Sequence, residues 1–248
     1  MKLNRGDSTD TVKQFILSDP FLLQSYSRIF TFINLDISKH NEQNERPLRI
    51  LEIGGAGGIS EMVFPNIIKT DVVYSKDLDL VCSGSNLPFK NQSIDIIIMK
   101  DSFHHLPDID LYLSNAMKII KVGSRIYIAD PNWNFVSQFI YKYFHPEPFD
   151  KKTKKWVTDP TQPWHSNQAL LWIVFKRDRK LFLKKFPNLN INEIGFSSGL
   201  SYIISGGVYS RNKIGSRFLL LLLKIENFFP IFSRFTSISK IIKVTKLW

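Results

Sequence analysis

The stretch Arg49-Ile-Leu-Glu-Ile-Gly-Gly-Ala-Gly-Gly58 decides the fold. It opens on Ile50, Leu51 and Ile53, the apolar run that a parallel strand covered on both faces requires. It ends in a glycine-rich turn, where backbone without Cβ atoms can bend tightly and approach a ligand closely. Glu52 stands at the strand's end, where a carboxylate can accept hydrogen bonds from ligand hydroxyls or an amine. The glycine spacing is not the dinucleotide pattern G-x-G-x-x-G. A turn of this kind alone often does no more than join a strand to a helix, so the next fifty or so residues carry the decision.

Ile67-Ile-Lys-Thr-Asp71 reads as a second short strand ending in an acid. Asp71 lies 17 residues beyond Gly54, near the roughly 20-residue spacing at which a second-strand acid meets a ribose. Ser83-Gly-Ser-Asn-Leu-Pro-Phe89 precedes Ser93-Ile-Asp-Ile-Ile-Ile-Met-Lys-Asp101. The β-branched run from Ile94 to Met99 reads as a buried strand. It leads into Asp101-Ser-Phe-His-His-Leu106. Leu111 to Ile120 reads as a helix, Val122-Gly123 as a turn, and Arg125 to Ala129 as a fifth strand ending at Asp130. Short buried strands in this rhythm indicate an α/β fold.

The order acid, one residue, then glycines resembles motif I of the class I S-adenosylmethionine (SAM) methyltransferases. The sequence L-P-F, short gap, S-x-D, apolar strand and F-H-H-L resembles the SAM-binding half of that superfamily. The resemblance covers roughly residues 47 to 131, about a third of the chain. It implies a Rossmann-like sheet and SAM as cofactor, contacted by Glu52, Gly54, Gly55, Gly58, Asp71, Ser83 and Asp101. Two departures stand out. Ala56 replaces the usual middle glycine of motif I, where a methyl group would crowd the cofactor. Ser83 stands where the family tends to carry an acid for the adenine amine, and it offers a hydrogen bond without a charge.

A second resemblance lies downstream. Asp130-Pro-Asn-Trp-Asn-Phe-Val-Ser137, Tyr141-Lys-Tyr-Phe-His-Pro-Glu-Pro-Phe-Asp150, Trp164-His-Ser-Asn-Gln168 and Ser205-Gly-Gly207 look like a bacterial subgroup associated with surface-polysaccharide biosynthesis. In that subgroup the stretch after the fifth strand, about 131–190 here, is expected to build the acceptor pocket. Glu147, Trp164, His165 and Asn167 are the implied substrate contacts. Methyl transfer requires the acceptor to be held in line with the methyl carbon. A hydroxyl acceptor must also lose a proton, and His is the usual base near neutral pH. His104 and His105 follow the fourth strand, where ligands bind in open α/β sheets. His145 and His165 lie in the insertion, and Asp130 is placed to orient a hydroxyl.

The remaining chain divides around this core. Residues 1–46 precede it. Phe15, Leu22, Leu23, Ile29, Phe30 and Ile33 fall at helical spacing broken by Asp19-Pro20, which reads as two helices forming a lid or brace over the cofactor site. Residues 47–210 form the catalytic unit with its insertion, and 211–248 a basic, apolar C-terminal segment. That segment holds eight Lys or Arg against one acid, so +7 of the net charge of +11 falls there. Basic residues alternating with large apolar ones suit a helix lying in an anionic membrane surface, where a lipid-linked sugar would be found. The competing reading is a core-packing helix followed by a solvated end. No recognition motif supports nucleic acid.

One cysteine, Cys82, excludes an internal disulfide, and one Cys with scattered His lacks zinc-ligand spacing. No signal peptide and no 18-residue apolar run is evident, so a cytoplasmic location is expected, with peripheral contact to the inner membrane face. The sequence therefore indicates a SAM-dependent O-methyltransferase acting on a small-molecule or lipid-linked glycan. Two rivals are a small-molecule or lipid methyltransferase and a non-catalytic SAM-fold scaffold, which Ala56 and Ser83 favour.

Overall fold

The computed structural model describes residues 7–40, 46–145, 147–158, 166–208, 212, 214–229 and 234–248. Two helices, α1 (Thr9–Ser18) and α2 (Pro20–His40), precede the first strand. The break between them is local chemistry. Ser8 caps α1 by accepting from Thr11 N–H. The Asp19 carboxylate accepts from the N–H groups of Phe21 and Leu22 at the start of α2, and Pro20 takes the first helical position, where its missing N–H is not needed.

The strands are β1 (Ile50–Ile53), β2 (Ile68–Asp71), β3 (Leu80–Val81), β4 (Ile94–Lys100), β5 (Ile120–Pro131), β6 (Leu189–Ser197) and β7 (Ser239–Lys246). They form one seven-stranded sheet in the order β3-β2-β1-β4-β5-β7-β6. β1 to β5 are parallel, and β7 runs antiparallel to both β5 and β6. The strand order reverses direction at β1 and β4, the switch point where open α/β sheets bind ligands at their carboxyl ends. This is the Rossmann-like sheet that the sequence indicates. β5 starts at Ile120, earlier than the apolar run alone suggests, because Ile120 pairs with Ile94; the register then shifts, and pairing resumes at Arg125 opposite Ile96.

Alternation along the strands divides the core into two layers. Leu51, Ile53, Ile97, Met99, Ile126, Ile128, Ile242 and Val244 face α3 (Ile109–Ile119) and a helical stretch of the insertion. That stretch comprises α5 (Leu170–Trp172), a π-helical turn (Ile173–Arg177) and α6 (Arg179–Lys185); a short α4 (Phe135–Tyr143) begins the insertion. Ile96, Ile98, Tyr127, Ala129 and Ile241 face α1, α2 and α8 (Ser216–Phe228), the last following α7 (Leu200–Ser205).

The connection from β1 to β2 contains only a single 3-10 turn, Ser60–Met62. Its sequence is glycine-rich at the start and too short for a full crossover helix. α2 covers the sheet face instead, burying Phe21, Leu22, Ile29, Phe30, Ile33 and Ile37. One polar knot locks it there. Asp36 accepts from the Tyr127 hydroxyl at 2.7 Å and from Lys243 Nζ at 2.9 Å. Burial alone would raise the Asp36 carboxyl, but these donors hold it below its ordinary range.

The C-terminal segment differs from its sequence reading. Residues 239–246 are a strand between β5 and β6, and two of its lysines are internal partners rather than solvated charges. Lys243 pairs with Asp36, and Lys246 Nζ donates to the carbonyls of Met117 and Ile120. A three-residue apolar alternation bounded by lysines is too short a signal to separate from an amphipathic tail. α8 packs by Leu219 and Leu223 and turns Phe218, Leu221, Ile225 and Phe228 outward. Among the described residues no helix is long and apolar enough to cross a membrane.

Replacing Asp36 by Ala leaves the Lys243 ammonium and the Tyr127 hydroxyl without their acceptor. Urea unfolding of this variant is expected to show a loss of roughly 2–3 kcal/mol. A loss under about 0.5 kcal/mol would match an ordinary surface substitution and remove the knot from the account.

Candidate active site

The glycine-rich turn leaves β1 with Gly54 and Gly57 in left-handed backbone, at φ +81° and +72°. Both need glycine for space as well. A Cβ on Gly54 would stand 2.3 Å from Ser102 Cβ, and one on Gly57 2.9 Å from the Thr9 carbonyl of α1. Ala56 is not among the positive-φ positions, so its methyl group brings no backbone strain. The N–H of Ala56 donates to Asp71 at 3.1 Å, and that of Val73 to the other Asp71 oxygen at 3.1 Å. A carboxylate has about four acceptor positions, so the half-buried Asp71 keeps two. The N–H groups of Gly54 and Gly55 donate to the Thr70 carbonyl, and that of Gly58 to the Gly55 carbonyl.

Glu52 is a correction. It is 1% exposed and turned beneath the loop, on the α2 side of the sheet. Ser60 Oγ donates to its carboxylate, which lies against Gly55 and Gly58. Burial pushes its carboxyl up to about 7. Strand alternation places it there, so it supports the loop from below rather than offering oxygens to a ligand.

At the neighbouring strand ends, Ser102 Oγ donates to the Ile53 carbonyl at 2.8 Å and ties β4 to β1. Asp101 has φ +51°, an exposed carboxylate paired with Lys100, and an N–H donating to Ala129 of β5. Lys100 Nζ also sits 3.9 Å from the Tyr26 ring centre. Ser83 lies in a turn after β3 and accepts from Ser85 N–H at 3.1 Å. The loop, Asp71 and Asp101 thus converge at the carboxyl ends of β1, β2 and β4.

The 3-10 turn Phe103–His105 carries both histidines beyond β4. His104 is buried between two carboxylates. Its Nδ1 lies 3.0 Å from Asp130 and its Nε2 3.3 Å from Glu147. Burial would lower its pKa, but Asp130 and Glu147 raise it to about 10, so the ring is an imidazolium donating to both. This corrects its assignment as a base, since a ring already protonated accepts nothing. Asp130 is corrected with it. Its carboxylate is fully buried and accepts from the His104 ring and from His104 N–H, at 3.1 Å, so it positions His104, and burial closes it to a substrate hydroxyl.

His105 has the opposite character. Burial and the charge on His104 lower its pKa to about 4, and the rings lie 4.2 Å apart. Its Nε2 is 3.9 Å from Glu147, and its buried Nδ1 has no partner among the described residues. His104, His105 and Glu147 bring three metal-ligating atoms within 4.8 Å of one another, a grouping their sequence spacing does not show. The imidazolium of His104 already supplies positive charge at that point.

The insertion supplies Glu147, held by Ser166 Oγ at 2.7 Å and by Gln168. Gln168 also lies 3.2 Å from His104 Nε2. Sequence reasoning selected Asn167 and missed its neighbours. The Asn167 carbonyl accepts from Leu170 N–H in the turn that opens α5, and its side chain caps that turn while Ser166 and Gln168 meet Glu147. Asn167 is therefore corrected from substrate contact to staple. Its Oδ1 accepts from Asp150 N–H and Ala169 N–H, and its Nδ2 donates to the Asp150 carbonyl and Thr153, which uses all its capacity. His145 Nδ1 accepts from Glu147 N–H at 3.3 Å, and its ring packs edge-on against Tyr141. Trp164 and His165 lie outside the described residues.

Residues 63–128, from the β1–β2 connection into β5, match the model of a family described as a methyltransferase domain. The chain carries a SAM-dependent methyltransferase domain, and S-adenosylmethionine is its cofactor. No curated protein matches the chain in sequence. Among solved structures, a CurJ carbon methyltransferase is 14% identical, with a TM-score of 0.53 over 96% of this chain and 59% of that one. It shares the fold. The YcgJ protein of Bacillus subtilis is 16% identical over 87% of this chain and 98% of its own, with a TM-score of 0.48. A SAM-dependent methyltransferase of Archaeoglobus fulgidus is 14% identical over 92% and 100%, with a TM-score of 0.47.

The methyltransferase loop fits such a cofactor. The close approach of Gly54 to Ser102 leaves no room for any side chain there, and Asp71 retains acceptor capacity beside the loop. Calorimetry should show Asp71→Ala weakening SAM binding by about 2 kcal/mol, close to 30-fold. Ala56→Gly should stay within roughly threefold of wild type, the equivalent of about 0.6 kcal/mol. An unchanged affinity for Asp71→Ala would remove that residue from the site.

Proposed function

We propose that this enzyme transfers the methyl group of SAM to a hydroxyl of a sugar or glycan intermediate in surface-polysaccharide biosynthesis. The observation that carries the reading is the neutral ring of His105 at the carboxyl end of β4, beside a fixed ion cluster. Bound SAM supplies an electrophilic methyl on a sulfonium, already a good leaving group. The glycine loop and Asp71 hold the cofactor from one side. His104, clamped by Asp130 and Glu147, offers no basicity and fixes the turn that carries His105. His105 accepts the hydroxyl proton, and Glu147 at 3.9 Å stabilises the imidazolium formed.

A neutral hydroxyl needs this proton acceptor, which favours O-methylation. The glycan identity of the acceptor rests on the sequence resemblance in the insertion. The apolar stripe on α8 lends some weight to the second reading, a lipid or small-molecule methyltransferase. The scaffold reading keeps Ala56 and Ser83 as its supports, and SAM calorimetry decides it.

Labelled SAM incubated with glycan precursors should transfer label into a carbohydrate product that survives mild alkali, as a methyl ether does and a methyl ester does not. Label in an alkali-labile product, or in no carbohydrate at all, would refute the reading. His105→Ala should lower kcat at least roughly 100-fold with SAM affinity intact. His105 works only while unprotonated, so its contribution is complete well above pH 4 and is lost as pH falls through about 4. The acid limb of the kcat profile should lie there rather than near the ordinary His value of about 6.5.

We further propose that the enzyme contacts an anionic membrane surface from the cytoplasmic side. Support comes from the outward residues of α8, Phe218, Leu221, Ile225 and Phe228, with Phe228 79% exposed and Arg217 and Lys224 on the same helix. Co-sedimentation with vesicles containing anionic lipid should exceed that with neutral lipid and weaken with salt. Phe218→Ser with Phe228→Ser should reduce it without unfolding, because both side chains are exposed. Equal recovery with both lipids would sink the contact.

A further inference from the structure

A second pocket opens beside the carboxyl end of β5, between that strand end, β6, β7 and the α5–α6 stretch. Its lining includes Asn132, Trp133, Trp172, Lys176 and Arg179. Two polar atoms there are buried and have no hydrogen-bond partner among the described residues: the Trp133 indole Nε1, a donor, and the Asn132 Oδ1, an acceptor. Buried polar groups are almost always paired, so an unmatched donor and acceptor on adjacent residues of one pocket point to a ligand that supplies both. A ring hydroxyl does both at once.

The remaining walls narrow the chemistry. Trp133 and Trp172 stack with ring centres 5.2 Å apart and planes 26° apart, giving a rigid, broad apolar surface against which a ring can lie. Both are half-buried, so part of that surface is open. Lys176 and Arg179 are exposed beside it. Arg179 uses one Nη2 on the Ile191 carbonyl at 3.3 Å, which leaves the rest of its fork free for a bidentate oxyanion. Lys151 adds a further cation, 5.1 Å from the Trp133 ring centre. The pocket's acid, Glu193, is already neutralised by Lys240 at 2.9 Å. The lining therefore carries a surplus of positive charge.

We propose that this pocket binds a sugar ring bearing a phosphate group. The ring lies on the tryptophan pair and exchanges hydrogen bonds with Trp133 and Asn132, and the phosphate meets Lys176 and Arg179. The pocket joins the site described above. Asp130, which clamps His104, is three residues before Trp133, so the backbone between them spans at most about 11 Å. Phe175 of the pocket also packs on Phe103 with ring centres 5.5 Å apart. The inference deepens the glycan reading and rests on it for the reaction, but the binding stands alone.

Calorimetry and tryptophan fluorescence on the full chain test it, with hexose 1-phosphates, the free hexoses and inorganic phosphate as probes. At least one hexose 1-phosphate should bind tenfold or more tighter than its free hexose or phosphate. Trp133→Phe keeps a ring and removes the N–H, and it should weaken that binding about fivefold or more. Lys176→Ala with Arg179→Ala should remove the preference for the phosphorylated sugar. All variants should keep wild-type SAM affinity, which excludes unfolding as the cause. A nucleoside-diphosphate sugar and a polyprenyl-diphosphate sugar in micelles, compared directly, tell a soluble source from a lipid-linked one.

The proposal is overturned if no hexose 1-phosphate binds at millimolar concentration, if the free hexose binds equally well, or if binding survives the variants unchanged. Sugar-phosphate binding without methyl transfer to any glycan would leave the pocket standing and refute the glycan reading. Methyl transfer to glycans that ignores the pocket variants would do the reverse.

Discussion

The buried imidazolium of His104 is the constraint around which the catalytic end of the molecule is built. A charge 3% exposed cannot persist without compensation, and the structure compensates it twice, with Asp130 from β5 and Glu147 from the insertion. The arrangement ties three separate chain segments to one ring. It also makes the two adjacent histidines chemically unlike. Burial, joined by the same positive charge that satisfies Asp130 and Glu147, lowers the pKa of His105. Two histidines side by side in sequence thus become a fixed cation and a neutral ring, because only one of them faces the carboxylates closely.

A comparable economy shapes the other face of the sheet. The β1–β2 connection contains one 3-10 turn, so it cannot cover the strands it links. α2 takes that place from the N-terminus, and the polar anchor that holds it, Asp36, draws on partners far apart in sequence, Tyr127 and Lys243. α1 then reaches the glycine loop, where Thr9 lies against Gly57, Asp10 accepts from Ser75, and Lys13 pairs with Glu61 and Asp77. The first helix therefore packs against the glycine loop and braces it.

The α/β fold could be read from the sequence because its signals are local. Apolar runs such as Ile94–Met99 and a glycine turn after Ile53 depend on neighbours a few residues away. The same holds for the break at Asp19-Pro20, where one side chain caps the next helix. The site residues divided differently. Asp71 at its strand end and the histidine pair after β4 were visible from position alone. The roles of Glu52, Asp130 and Asn167 were not, because each depends on which way a side chain points. Glu52 turns under the loop through strand alternation, and Asn167 caps the turn that opens α5 while Ser166 and Gln168 meet Glu147. The pairing of Glu147 with His104 joins residues 43 apart, and no spacing rule announces such a contact.

Charge composition was the least reliable guide, for a physical reason. A count of +7 over the last 38 residues treats every Lys and Arg as an exposed charge. Lys243 and Lys246 belong instead to β7, a strand paired on both sides. One neutralises Asp36, and the other caps carbonyls at the junction of α3 and β5. An ammonium on a long apolar stem can sit inside a sheet layer and send its charge to a buried acceptor. On the outer stripe of α8 the apolar residues Phe218, Leu221, Ile225 and Phe228 are exposed and set the character of the surface. A separate group of cations lies on the insertion, where Lys176 and Arg179 stand beside stacked tryptophans and an indole N–H with no partner among the described residues.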